Sequence, residues 1–546
     1  MEKKYESAYA QYVHKKPKTH WSSESEVKSK LLKVDLTSEH MEYGGLPIIS
    51  DGKTAYIDAS DSHTAIGAIS GMKKSICGFM PLMCVLGKTD ERIIATDPKG
   101  ELYERMAGYL VACGKKVWCL DFRTFDKDGF NILEHPARVY RSGDQDRGIT
   151  LLSDLINVFA DKQRSSGRCD PFWPDTAAMY KNGTGKIMFD SYPDIESINI
   201  SNWAEFNTEK NVPLLNELIS NINSEDTALL NLRTVLSEPE KTLMSTLSTA
   251  SSFLGPFIQN NKLARMLSHS TFSLDDFYNE NSALFIITDD TTTTCDTIVG
   301  IIISQIQSYL VDKAYKSENG KLKHRVNFIL DEFTSYPIPD MDVALATHRS
   351  RNIRYYLCVQ TIDGLKKRYD HYEAILSNCG NTVFLGSTEK ALLERISEQC
   401  GTTRITSDGK ERPLISSAEL MTLRKSWESK EAIYMNLSES IRYCATLPSI
   451  EAYDIGNHRA PQYTVTHPRV KSYTISNLLQ DIAYDKAHFP FSTNDDAPEQ
   501  TKKNRRKSHN HQSNSASGEK VLTEDIQKVL ERKFDEIFGP IDSEDE

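Results

Sequence analysis

Residues 326–333 read VNFILDEF, a short apolar run that ends in two adjacent acids, Asp331 and Glu332. A run so brief and so apolar, bounded by charge, has the pattern of a strand buried on both faces, as in a parallel sheet. Its carboxylates then emerge at the C-terminal end, the edge where ligands collect in open α/β sheets. Beside a triphosphate, two such carboxylates divide the work. The first holds Mg2+ through its water shell, and the second orients and deprotonates an attacking water. A strand that merely ends in solvated acids has the same pattern, so the reading depends on partners elsewhere in the chain.

The first partner lies upstream, where residues 67–75 read GAISGMKKS. A phosphate loop needs small residues whose N–H groups wrap an anion, a lysine for the phosphate charge and a hydroxyl for Mg2+. The full pattern GxxxxGK[ST] is absent, and two registers compete. Anchoring on Lys74-Ser75 puts Ala68 at the first glycine position and Lys73 at the second. Anchoring on Gly67 puts Met72 at the second glycine and Lys74 at the hydroxyl. The first register is preferred because it keeps a Lys-Ser pair at the start of a helix. It makes Ser70, Gly71, Lys73, Lys74 and Ser75 the candidate nucleotide-binding residues, with Ser75 and Asp331 as metal ligands. Its cost is a lysine where positive φ is favoured, on the order of 1 kcal/mol or more. A degenerate loop that no longer turns over ATP remains the competing reading.

Two further stretches belong to the same edge. In 95–103, ATDPKGELY, a strand end is followed by a turn that opens a helix, which places Asp97 beside the loop. Gln360 follows the apolar run 354–359, RYYLCV, and Arg349 and Arg351 precede it. A strand-end glutamine can sense a γ-phosphate, and an arginine can reach a neighbouring subunit's nucleotide. The plain alternatives are a strand-end amide and surface arginines.

Around these motifs, apolar runs near 63–68, 92–96, 116–122, 283–288, 326–330, 354–359, 382–385 and 432–437 alternate with helical spacing at 75–86, 100–113 and 297–314. That alternation specifies an α/β fold with a mostly parallel sheet. Residues 176–275 lack convincing strands, and 214–222, 227–236 and 240–253 read as helices, so an inserted all-α domain is expected. The division that follows is an N-terminal segment 1–60, a nucleotide-binding domain in two parts, 61–175 and 276–460, the insertion 176–275 between them, and a C-terminal extension 461–492. Residues 493–520 are polar and read as a disordered linker, and 521–546 as an amphipathic helix with an acidic tail.

The 546 residues suit several domain-sized units, and 39% hydrophobic with 26% charged residues is a globular composition. No window has the ~20 apolar residues of a membrane-spanning helix, and the polar N-terminus is no signal peptide. A cytoplasmic location is the expectation. The net charge of −11 argues against a surface coated with positive charge for wrapping nucleic acid, though not against a local basic channel. The 10 cysteines include no CxxC pair and read as buried thiols.

Taken in order, several stretches resemble the coupling ATPases of conjugative type IV secretion systems, the TraG/TraD group. They include GGLPIISDGKTAYIDASDSHTAI, DERIIATDPKGELYERMAGYL, DPFW at 170–173 and EPEKTLMSTLSTASSFL at 238–254. VNFILDEF, DMDVALATHRSRNIRYYLCVQT, AILSNCGNTVFLGS and RPLISSAELMTL at 412–423 complete the set. The resemblance covers about residues 20–455. It implies a RecA-like P-loop core with an inserted all-α domain, ATP and Mg2+ as cofactors, and a hexameric ring. It also implies DNA, a relaxase and secretion-channel proteins as partners, at the inner face of the cell membrane. Lys74 would meet the phosphates, Glu332 activate water, Gln360 report the γ-phosphate, and Arg349 or Arg351 act across a subunit boundary. The chain departs from the family in lacking both loop glycines and the common transmembrane segments. A non-hydrolysing adaptor on the same scaffold, or a DNA-translocating ATPase of the FtsK/HerA kind outside secretion, are the alternatives.

Overall fold

A computed structural model describes residues 19–488 apart from 166, 168–169, 221–225, 290 and 405–410. The linker at 493–520 and the helix at 521–546 lie outside the described residues. Among the described residues, the chain up to Ile475 is one compact unit, and Ser476–His488, most of the helix Ile475–His488, falls outside it.

Near the N-terminus, Ser23 caps the helix Glu24–Lys30 reciprocally with Glu26. Three strands, β1 (Leu32–Asp35), β2 (Leu46–Ser50) and β3 (Thr54–Asp58), then form a small antiparallel sheet in the order β1-β3-β2. The main sheet is built from β4 (Thr64–Ala68), β5 (Arg92–Asp97), β6 (Lys116–Asp121), β7 (Ser282–Ile287), β8 (Val326–Leu330), β9 (Ile353–Val359), β10 (Asn381–Gly386), β13 (Ser429–Asn436) and β14 (Ile441–Pro448). A hairpin of β11 (Thr402–Arg404) and β12 (Glu411–Pro413) stands apart from it. The nine main strands lie in the order β14-β13-β10-β4-β9-β8-β5-β7-β6. From β10 to β6 all neighbours are parallel, and β13 and β14 add an antiparallel edge.

Every residue of β5, β7, β8 and β9 is buried, which is why these strands read as unbroken apolar runs. The polar exceptions are paired. The Arg354 guanidinium meets Glu91 Oε2 at 3.1 Å and Asn327 Oδ1 at 2.9 Å, and the Gly44 N–H donates to Glu91 Oε1 at 2.9 Å. This cluster fastens the N-terminal segment to the sheet. A buried charge left without its partner is costly, so these residues hold one another in place.

Among the described residues, the chain between β6 and β7 makes helices and no strand. The run begins at Glu134–Arg141 and Gln145–Arg164 and continues through Phe172–Ser191, Thr227–Leu236 and Glu240–Ile258 to Leu274–Asn279. It therefore starts well before residue 176. The reason lies in Leu151, Leu152, Leu155, Ile156 and Phe159, which recur at helical spacing and are buried along one face. Because β6 and β7 are neighbours, the helical run leaves and re-enters the sheet at adjacent strands. Among the described residues no helix is long and apolar enough to cross a membrane.

Candidate functional site

The loop 69–74 leaves the buried end of β4 and turns into a helix. Ala68 closes β4 without a positive φ, whereas Gly71 (φ 80°) and Lys73 (φ 62°) both take the left-handed region. Of the two absent glycines, only the second therefore leaves a side chain on strained backbone. The helix opens with one wide turn, Ser75–Phe79, in which the Met80 N–H reaches back five residues to the Ser75 carbonyl. Pro81 follows and has no N–H to give Cys77 at the ordinary α spacing, which accounts for the widened register.

Lys74 leads from this loop to the far carboxylates. Its Nζ lies 2.5 Å from Asp331 Oδ1 and 3.9 Å from Glu332 Oε1. The two strand ends are not neighbours, since β9 runs between β4 and β8. The long side chain crosses the end of β9 to close the gap. Lys74 and Asp331 are 12% and 8% exposed, while Glu332 keeps 27%. Burial works against the Lys74 ammonium, yet the neighbouring Asp331 and Glu332 carboxylates oppose it, and the net shift is upward. Asp331 Oδ1 accepts the Glu332 N–H at 2.9 Å, and its carbonyl accepts Thr96 Oγ1 at 2.9 Å. Glu332 itself sits at φ 53°. Left-handed non-glycine residues cluster where a site overrides local preference.

Asp97 closes β5, the strand beside β8, and accepts the Tyr103 N–H at 2.8 Å. Burial pushes its carboxyl up to about 7, opposed by that N–H and reinforced by the charge of Asp331. Gln360 follows Val359, which pairs with Gly67 of β4, so it stands at the C-terminal end of β9, the strand between β4 and β8. Ser75 is half-buried at the helix start and Ser70 is exposed on the loop.

Lys73 turns the other way. Its Nζ donates to the Trp427 carbonyl at 3.0 Å, and Lys425 Nζ donates to the Gly71 carbonyl at 3.1 Å. Lys74, not Lys73, therefore faces the acids. The arginines are not brought together with the cluster. The turn Arg349–Arg351 precedes β9, and the seven residues of that strand, roughly 20 Å long, separate it from Gln360. Arg349 Nε is 3.7 Å from Asp61 Oδ2 on the exposed surface, and Arg351 donates to the Tyr315 hydroxyl at 2.6 Å.

Three charged groups at the C-terminal edge escaped the sequence reading. Arg123, just beyond β6, pairs with Asp121 at 3.2 Å and donates to the Lys99 carbonyl at 3.0 Å. Asp296 opens the helix Asp296–Tyr315, and burial pushes its carboxyl up to about 6. Arg368 donates to the Thr334 carbonyl at 3.0 Å, and its charge lies close enough to Asp296 to counter that rise. The signal was available, because Arg123 and Asp296 each follow an apolar run at the edge that Asp331 marks.

An ammonium meeting two carboxylates beside an open loop, with a serine opening the helix that follows, is a donor set suited to phosphate and a hard divalent cation. Among the described residues no three His, Cys, Asp or Glu side chains are grouped to hold a metal. A cation here would share its coordination between Ser75, Asp331 and phosphate oxygens.

The family model described as type IV secretory system conjugative DNA transfer matches residues 15–443. Among curated proteins none matches the chain. Of solved structures, the unbound monoclinic form of the bacterial conjugative coupling protein TrwBdeltaN70 aligns at 16% identity. That alignment covers 82% of this chain and 95% of that one, with a TM-score of 0.55. TrwB in complex with the non-hydrolysable ATP analogue ADPNP aligns at 15% identity over 82% and 96%, with a TM-score of 0.56. TrwB in complex with ADP and Mg2+ aligns at 15% over 81% and 95%, also at 0.56. At such identity the likeness establishes the fold, a RecA-like α/β core with helical parts. The match over 15–443 covers most of the chain, and the protein belongs to the type IV secretory system conjugative DNA transfer family.

Proposed function

We propose that the protein is a coupling ATPase of a conjugative secretion system, binding ATP with Mg2+ and using its turnover to deliver a relaxase–DNA substrate to the secretion channel. The observation that carries this reading is the meeting of Lys74 with Asp331 and Glu332 across β9. It brings together a lysine and two acids from distant parts of the chain, which supports a site for a triphosphate and its cation. TrwB, which shares the fold, has been solved with ADPNP and with ADP and Mg2+, which favours the same ligands here.

The residues fit these ligands on their own chemistry. Lys74 exchanges its ion pair with Asp331 for phosphate oxygens, which frees the Asp331 carboxylate. Ser75 and Asp331 hold the cation, which when bound neutralises charge on the phosphates. Glu332 Oε1, the more exposed of the two carboxylates, takes the proton of the attacking water, and Gln360 orients on the γ-phosphate. Arg349 or Arg351 reaches the nucleotide of an adjacent subunit in a hexameric ring. The helical run from Glu134 to Asn279 is then the inserted all-α domain, and the assembly works at the inner face of the membrane.

ATP hydrolysis by the purified protein, stimulated by DNA and abolished in Glu332→Gln, is the expected result. Undiminished hydrolysis in that variant overturns the role of Glu332. One observation favours a second reading. Lys73 stands at φ 62° where the loop pattern has glycine, which fits an adaptor that binds secretion partners without cycling. For that adaptor, titration with ATP and Mg2+ shows no binding.

A further inference from the structure

We propose that Trp427 is the platform on which the base of the bound nucleotide stacks. The inference rests on the nucleotide reading above and adds the part of the ligand that the loop cannot hold. Trp427 is 76% exposed, the most exposed large hydrophobic residue among those described. It is held on a hydrogen-bonded hairpin rather than a free loop. Lys425 bridges Lys430, the Ser426 N–H donates to the Ser429 carbonyl at 3.0 Å, and the Glu431 N–H donates to the Arg424 carbonyl at 2.9 Å. At the base, the buried Lys430 donates to the Leu423 carbonyl at 3.0 Å. On the far side the Ser449 N–H donates to the Glu428 carbonyl at 2.7 Å.

The hairpin leads into β13, which runs antiparallel to β10, and β10 is parallel to β4. Its tip therefore stands at the C-terminal edge of β4, where the loop begins. Two hydrogen bonds in opposite directions join the two segments, Lys73 Nζ to the Trp427 carbonyl and Lys425 Nζ to the Gly71 carbonyl. A triphosphate seated between Gly71 and Ser75 leaves its ribose and base outside the loop. The residue whose backbone the loop itself holds is Trp427, and its indole is exposed. An aromatic face stacks a base without regard to its hydrogen-bonding edge. The lysines position the turn, and the ring supplies the contact.

Isothermal titration with Mg-ATP and with Mg-tripolyphosphate, which has the phosphates and no base, separates the two claims. The wild type is expected to bind both, ATP more tightly. Trp427→Ala then weakens ATP by about tenfold, the lower range of base–aromatic stacking, and leaves tripolyphosphate unchanged. Trp427→Phe keeps most of the ATP affinity. Equal ATP affinity in wild type and Trp427→Ala overturns the platform while leaving the phosphate loop standing. Equal loss of ATP and tripolyphosphate in that variant also overturns it, because the hairpin then acts only by shaping the loop. Binding of neither ligand by the wild type removes the phosphate site, and the platform with it.

Discussion

Lys73 and Lys74 are chemically identical neighbours with opposite environments. One is tied to a backbone carbonyl across the loop, and the other is buried against two acids. The strain belongs to the first, at φ 62°. Lys73→Ala removes the bond to Trp427 but keeps a Cβ on left-handed backbone, and Lys73→Gly removes both. Comparing these variants with each other isolates the strain. The glycine variant is expected to be the more stable by about 1 kcal/mol in urea unfolding, and equal midpoints would refute a left-handed residue 73. The pairing of Lys74 with Asp331 was legible in the sequence, because both belong to motifs whose chemistry demands each other. The bond from Lys73 to Trp427 was not. It spans 354 positions and ends on a carbonyl, which every residue type carries.

The parallel strands were legible for the same reason that they are stable. Burial on both faces leaves uninterrupted apolar runs, and the observed limits of β5, β8 and β9 follow those runs closely. The segment 454–474 has no period to read. It makes no helix or strand and is held by groups on other elements. Tyr103 donates to the Pro461 carbonyl at 3.0 Å, the Val465 N–H donates to the Asp126 carbonyl at 2.8 Å, and Asn202 donates to the Lys471 carbonyl at 2.8 Å. This strap runs from the helix Glu101–Ala112 to the helical run. It crosses that helix at Gly108, where a Cβ would stand 2.2 Å from the Arg459 carbonyl oxygen. Backbone cannot yield by that much in place, so Gly108→Ala lifts the strap locally. Tryptic cleavage after Arg459 is expected to accelerate about tenfold, the effect of a local opening made easier by 1.4 kcal/mol. Val111→Ala, on the exposed side of the same helix, serves as the control, and an equal effect there would argue against the contact.

Across the whole molecule, the parallel sheet separates its chemistry by strand polarity. Lys74, Asp331, Glu332 and Gln360 lie at the C-terminal edge, while Arg349 and Arg351 lie at the start of β9. No single chain in this fold brings the arginines to its own loop, because β9 fixes their distance. In a ring, an arginine at one edge of a subunit can face the loop of the next, and subunit mixing tests that arrangement directly. Glu332→Gln and Arg349→Ala are each expected to be inactive as pure assemblies. In an equimolar mixture, a site is intact when its own subunit carries Glu332 and its neighbour carries Arg349. Random assembly gives that combination at about a quarter of the sites, so about a quarter of the wild-type ATP turnover should return. An arginine acting within its own subunit gives no such recovery, because every subunit of the mixture then lacks one of the two groups. Full activity of pure Arg349→Ala would instead leave Arg351 as the residue to exchange in the same experiment. The recovered rate thus reads out whether the sheet's two edges work together only between chains.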